Sequence, residues 1–146
     1  MPTIKIMVGL PGSGKDYYID HNKSSDDVVV SSDDIRAELG DINDQSNNSK
    51  VFWIFYDRIE NAMRNKKTIW VNATNVTRQN REQTITLAKQ YNYTIECIVM
   101  VTPIDTCIDR DAKRPRTVGV DVIRKFENRF TAPTYDEGID DISYIS

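Results

Sequence analysis

Gly9-Leu10-Pro11-Gly12-Ser13-Gly14-Lys15-Asp16 sets glycines and one lysine at the spacing of the phosphate-binding loop G-x-x-x-x-G-K-[ST], the Walker A pattern, departing from it only at the last position. The glycines allow backbone angles that a side chain would forbid, so successive N–H groups can turn inward as a concave anion site. A helix starting at Lys15 would aim its positive end at the same point, and Lys15 adds a mobile charge for the β- and γ-phosphates of a nucleotide. Gly12, Ser13, Gly14, Lys15 and Asp16 are therefore the candidate nucleotide-binding residues. Asp16 stands where a hydroxyl normally ligates Mg²⁺. A carboxylate is a good hard-cation ligand; it either holds the metal directly or repels a triphosphate when the metal is absent.

Phosphoryl transfer also needs a group that readies the acceptor and positive charge on the transition state. Asp33 follows an apolar run and could take a proton from an acceptor hydroxyl; its plainer reading is a helix N-cap, which Ser32 could supply instead. Asp34 reads as structural. Arg36, three residues on, shares a helical side with Asp33 and is either a holder of an anionic acceptor group or a solvated helix residue. Arg110 and Arg114 share a face near the end of a later helix, and with Lys113 and Arg116 they form a basic cluster able to close over phosphates. From Arg110 to Arg129 there are seven Lys/Arg and three acids, a local reversal in a chain of net charge −3. His21, the one histidine, reads as a helix-end cap, and no Ser/His/Asp set or Cys/His metal spacing is present.

These residues must be positioned by elements that the hydrophobic pattern supplies. Thr3 to Val8 reads as a strand running into the loop, and Lys15 to His21 as a short helix. Asp27 to Ser31 is a second strand, followed by a helix from the Ser31-Ser32-Asp33-Asp34 cap region to Leu39 that Gly40 stops. Asp41 to Ser49 reads as a polar loop. Val51 to Asn65 is an amphipathic helix with Phe52, Phe55, Ile59, Ala62 and Met63 in one stripe; Trp53 and Tyr56 flank it as core or rim aromatics in preference to a base-stacking role. Strands over Lys67–Ala73 and Tyr93–Val101 enclose a helix capped by Thr77. Thr102-Pro103-Ile104-Asp105 reads as cap, first-turn proline and first-turn acid of a helix ending near Lys113. A last helix carries Ile123, Phe126 and Phe130 on one face, and Ile142 to Ile145 closes the chain as a strand. Strands alternating with helices specify a parallel sheet covered on both faces. Ligands in such sheets lie at the carboxyl ends of the strands, so the loop, Ser32-Asp33-Asp34 and Asn72-Ala73-Thr74-Asn75 should converge on one pocket.

At 146 residues the sequence fits one domain over 1–146, and its net charge of −3 excludes a global basic field for coating nucleic acid. It contains no apolar run near the ~18–20 residues that span a bilayer, and its amino end reads as strand, not as a leader. Cys97 and Cys107 read as isolated buried thiols in a reducing compartment, which sets the expectation of a cytoplasmic protein.

Taken in order, Gly9–Lys15, Asp33-Asp34-Ile35-Arg36, Ala73-Thr74-Asn75-Val76 with Arg78 and Arg81, Pro103 with Arg110-Asp111-Ala112-Lys113-Arg114, and Val120-Asp121-Val122-Ile123 resemble the kinase domain of phage-type 5′-hydroxyl polynucleotide kinases, within the P-loop kinase group. The resemblance implies a five-stranded parallel sheet of order 2-3-1-4-5 with a short basic lid at about 110–119. It implies Lys15 on the β/γ-phosphates, Asp33 as general base, Arg36 on the acceptor's 3′-phosphate, and Arg114 with Arg110 on the donor phosphates, with ATP as donor and Mg²⁺ as cofactor. Two departures stand out: Asp16 for the metal-binding Ser/Thr, and Asn72 where relatives of the wider group often carry an acid, as though the metal's anionic partner had moved from the third strand to the loop. No D-x-D-x-[TV] follows an apolar strand, so no phosphatase domain is expected. The expectation is ATP-dependent phosphorylation of a DNA or RNA 5′ end, met as a transient substrate without any membrane. The alternatives are a kinase of a nucleoside, nucleotide or antibiotic, or a nucleotide-binding module without turnover.

Overall fold

The computed structural model describes residues 2–40, 48–115 and 117–146. Five parallel strands form one sheet: β1 (Thr3–Val8), β2 (Val28–Ser31), β3 (Ile69–Asn72), β4 (Thr94–Met100) and β5 (Asp141–Ile145), in the order β2-β3-β1-β4-β5. The helices are α1 (Lys15–Asn22), α2 (Ser32–Glu38), α3 (Asn48–Arg64), α4 (Arg78–Gln90), α5 (Ile104–Ala112) and α6 (Val120–Arg129), with a 3₁₀ turn at Tyr135–Glu137. The order is the one the resemblance implied.

The two faces of β1 explain the layering. Ile4, Ile6 and Val8, all fully buried, point to one side and join Val51, Phe55 and Ile59 of α3 and Ile85 and Ala88 of α4 in the main core. Successive strand side chains face opposite ways, so Met7 points to the other side, where Ile19 of α1, Trp70 and Ile98 make a smaller cluster. Trp70 is held there by its indole N–H, which donates to Asp27 Oδ2 at 2.9 Å, and by the Lys5 ammonium 4.6 Å from its ring centroid. Cys97 and Cys107 are both free and buried, and burial pushes the Cys97 thiol up to about 12.

Several boundaries and roles differ from expectation. Asn48 and Ser49, assigned to a loop, are the first residues of α3; residues 41–47 of that loop, and Arg116 of the basic connector, lie outside the described residues. Helix α5 starts at Ile104 with Pro103 as its N-cap, because the Thr102 hydroxyl donates to the Ser13 carbonyl at 2.7 Å instead of capping. Trp53 is neither core nor rim: it is 70% exposed. On α6 only Ile123 is buried, and Phe130 is the exposed residue that ends the helix. Among the described residues no helix is long and apolar enough to cross a membrane.

Candidate active site at the carboxyl edge of the sheet

The phosphate loop leaves β1 and is shaped by two glycines in left-handed backbone. Gly12 has φ +80°, and a Cβ there would lie 2.5 Å from the Cys107 carbonyl oxygen, so the loop packs directly on the backbone of α5. Gly14, at φ +101°, is the residue from which α1 springs. The loop is tied to its neighbour by Gly9 N–H donating to the Thr74 carbonyl at 3.0 Å. Lys15 folds back over the loop, and its Nζ donates to the carbonyls of Gly9 and Leu10, each at 2.9 Å. Burial lowers the Lys15 pKa to about 8, although the charges of Asp16 and Asp33 act to raise it and that of Arg114 to lower it. A lysine desolvated in this way gains most from an arriving anion.

The other strand ends meet this loop. The sheet register sets Ser31 level with Asn72 and Ile6 level with Val71, so β2, β3 and β1 leave the sheet side by side. Ser31, not Ser32 or Asp33, caps α2, its Oγ accepting the Asp34 N–H at 3.3 Å. Asp33 is thereby released from the capping role and stands 61% exposed at the edge, close enough to Lys15 to act on its charge. Burial and the charges of Asp16, Asp33 and Glu38 raise the pKa of Asp34. Arg36 is not a solvated helix residue. Its side chain is only 17% exposed, with Nη1 donating to Asp33 Oδ1 at 3.3 Å, Nη2 to Asn48 Oδ1 at 2.7 Å, and the guanidinium 5.6 Å from the Phe52 ring.

From the opposite side come Arg110, in the last turn of α5, and Arg114, which lies in the bend past the Lys113 C-cap, so the single helical face expected for the two arginines is not formed. Arg110 Nη1 donates weakly to the Gly12 carbonyl at 3.4 Å, and Arg114 Nη1 lies 3.8 Å from Asp111 Oδ1. Lys113 turns away to pair with Asp109 at 3.1 Å, so it does not join the two arginines. His21 bonds the Tyr17 carbonyl at 2.8 Å on the outer side of α1 and takes no part in the site.

The residues present fit a nucleotide phosphate and its metal. The Ser13 hydroxyl is buried without a hydrogen-bond partner among the described residues, the first-turn N–H groups of α1 have no acceptor within the helix, and the lysine sits over both. Among the described residues no three His, Cys, Asp or Glu side chains gather to hold a metal alone. A Mg²⁺ ion here would share Asp16 with phosphate oxygens and water, which is how Mg²⁺ is usually bound.

A family model described as an AAA domain matches residues 4–133. The chain belongs to that family. This AAA domain has the P-loop kinase fold. A chain of the Pnkp1/Rnl/Hen1 RNA repair complex aligns with a TM-score of 0.77 at 19% identity, covering 88% of this chain and 43% of the other. A gluconokinase from Sinorhizobium meliloti 1021 aligns at 0.66 and 11%, covering 98% and 81%. The tunicamycin resistance protein of Deinococcus radiodurans aligns at 0.61 and 14%, covering 98% and 86%. The domain thus spans about two fifths of the RNA repair chain, 43% of its length, and most of each of the other two.

Two residues of the AAA domain that support the site, Asp111 and Arg81, enter the sequence reading only as part of the resemblance, with no role of their own. Asp111 is 2% exposed, and its oxygens accept the N–H groups of Val118 at 3.1 Å and Gly119 at 3.0 Å. It pins the return of the connector to the end of α5, which bears Arg110 and leads into Arg114. The second, Arg81, is fully buried and donates through Nη1 to the Asn75 carbonyl at 2.8 Å. Asn75 in turn donates through Nδ2 to the Met7 carbonyl at 2.8 Å, under the phosphate loop. An open hollow of about 500 Å³ lined by Lys89, Asn92, Tyr93, Thr94, Ile95 and Asp140 lies at the amino end of β4. Since Thr3 is level with Thr94, that hollow is at the far end of the sheet from the loop and takes no part in this chemistry.

The Asp111 latch gives one prediction. Asp111→Asn keeps one acceptor oxygen and replaces the other by a donor, so one loop bond is lost; hydrogen bonds to charged groups contribute about 1.5–3 kcal/mol. Amide exchange at Val118 and Gly119 should therefore speed up about tenfold or more while β1 and β4 amides keep their protection. Unchanged exchange at those two amides would show that the connector holds itself.

Proposed function

We propose that this AAA domain is an ATP- and Mg²⁺-dependent kinase that transfers the γ-phosphoryl group to the 5′-hydroxyl end of a DNA or RNA strand. The observation that carries this reading is the pairing of Asp33 with Arg36 at 3.3 Å, an exposed acid beside a held cation, at the strand edge next to Lys15. A strand end presents a hydroxyl and, one nucleotide on, a phosphate, and that pair of side chains suits both. The likeness to a chain of an RNA repair complex supports it.

On this reading Lys15 leaves the Gly9 and Leu10 carbonyls and takes the β/γ-phosphates, with Gly12, Ser13 and Gly14 supplying N–H groups to them. Arg36 holds the acceptor phosphate. Asp33 accepts the proton of the 5′-hydroxyl as the new O–P bond forms and the bond from the γ-phosphorus to the β-phosphate oxygen breaks, releasing ADP. Arg110 and Arg114 stabilise charge on the transferring group from the lid side. Asp16 would be the protein ligand of a Mg²⁺ ion, which would supply positive charge to the phosphates during transfer. The domain works as one unit in the cytoplasm, with the connector at 110–119 as its lid.

The test is incubation of the protein with γ-labelled ATP and 5′-hydroxyl DNA and RNA oligonucleotides, beside nucleosides and sugar acids. Label at the oligonucleotide 5′ end, lost in Lys15→Ala, is the expected result. Label in a small acceptor alone would move the assignment to a small-molecule kinase, the reading favoured by the coverage of the gluconokinase and tunicamycin resistance folds. ATP binding without transfer to any acceptor would leave a nucleotide-binding module.

A further inference from the structure

Asp16 and Asn72, the two departures from the expected pattern, touch. They are 56 residues apart in sequence, one in the first turn of α1 and one at the last position of β3, and Asn72 Nδ2 donates to Asp16 Oδ1 at 2.5 Å. Among the described residues Asp16 Oδ2 accepts no hydrogen bond. In P-loop enzymes generally, a neutral hydroxyl on the loop and a carboxylate on the neighbouring strand share the metal. Here the charge is on the loop and the neutral group on the strand, so the site still carries one negative charge.

We infer that Asp16 and Asn72 act as a unit: the Asn72 amide clamps Oδ1 and turns Oδ2 outward as the anionic ligand of the divalent cation, which makes nucleotide binding depend on that cation. Asn72 is then a positioning residue and Asp16 the ligand. The dependence follows from placement. A carboxylate in the first turn of α1 lies where the phosphates of a nucleotide meet the helix amides, and without a cation between them the two anions repel. A serine in its place has no such repulsion. An acid at position 72 facing Asp16 would set two carboxylates within hydrogen-bond distance, and they could not both stay ionised at low cost. The amide removes that conflict and keeps Asp16 oriented, in the way outer groups orient metal ligands elsewhere.

This inference rests on nucleotide binding at the loop, not on the acceptor. The experiment measures ADP affinity by calorimetry with Mg²⁺ and with EDTA, and Mn²⁺ affinity in the presence of ADP by electron paramagnetic resonance. For the wild type, removing the metal should weaken ADP binding about 100-fold or more; for Asp16→Ser the loss should shrink to about tenfold or less. Asn72→Ala should lower Mn²⁺ affinity about 10–100-fold with metal-free ADP affinity unchanged, a separation that a purely structural contact would not give. Asp16→Ser combined with Asn72→Asp should restore Mn²⁺ affinity to within about threefold of wild type, a coupling that independent sites do not show. Equal metal dependence in wild type and Asp16→Ser, or additive losses in the double variant, would overturn the inference. So would an Asn72→Ala protein with a lowered melting temperature and unaltered Mn²⁺ affinity. A wild type that binds no ADP in either condition overturns it together with the nucleotide reading. Metal-dependent ADP binding with the stated variant pattern, but no oligonucleotide phosphorylation, removes the acceptor assignment and upholds the pair.

Discussion

On the proposed reading, Asp33→Asn should lower the turnover of 5′-hydroxyl phosphorylation by about 10²–10⁴-fold, the usual worth of a positioned general base. ATP affinity should stay within about threefold, because the lost interaction is with a proton that moves only during transfer. The asparagine keeps an oxygen for Arg36 to donate to, so Arg36 should stay where it is. The ion pair itself is exposed on the Asp33 side and worth at most about 1 kcal/mol, so the melting temperature should barely move. A large loss of rate in a protein of unchanged stability and unchanged nucleotide affinity is the signature sought. Intact turnover in Asp33→Asn would remove the carboxylate from the chemistry.

The second large effect is on folding. The Arg81 and Glu137 side chains are 0% and 3% exposed and meet through two hydrogen bonds, Nε to Oε1 at 2.9 Å and Nη2 to Oε2 at 3.1 Å. Removing one member of such a pair strands a charge in the interior and costs about 3–5 kcal/mol. Arg81→Ala also leaves the Asn75 carbonyl without its donor, beneath the phosphate loop. With total stabilities of about 5–15 kcal/mol, that loss takes away much of what holds the domain. The urea midpoint should fall accordingly, and replacing both residues by apolar side chains of similar size should recover a substantial part of it. The same pair sets an acid response. Burial alone would raise the Glu137 carboxyl, but the hydrogen bonds from Arg81 and the Thr134 N–H and the charges of Arg81 and Arg78 hold it below its ordinary value of 4.5. Its folded pKa is depressed, so its contribution is complete above 4.5 and fades as the pH drops further, through the folded pKa. Arg81→Ala should therefore show a flatter loss of stability with acid than the wild type; an identical acid profile would mean that Glu137 is not coupled to folding.

The parts of this fold that are written in local pattern were legible. The β-branched run into Gly9–Lys15 needs no distant partner to be read, and the α3 stripe shows in its spacing. Contacts between distant segments left no periodic trace. Arg81 looks like a surface residue of α4 until Glu137 arrives from 56 residues away, and Thr102 has the chemistry of a cap until the Ser13 carbonyl, 89 residues earlier, takes its hydroxyl. Asp111 reads as one acid among arginines because backbone N–H groups, its real partners, are the same in every sequence. Trp53 shows the limit from the other side: bulk and apolarity suggested packing, but its place on α3 turns it to solvent.

The two tryptophans sit in opposite surroundings, Trp70 1% exposed behind the sheet and Trp53 70% exposed on α3. Their emission should accordingly split into a blue component shielded from iodide and a red one quenched by it. The helix that carries Trp53 also supplies Asn48 and Phe52 to Arg36, so docking of an acceptor there should dim or shift the red band alone. Unfolding should collapse both into one. On the proposed reading the native chain would carry its own two-colour gauge, with occupancy read at one wavelength and integrity at the other without an added dye.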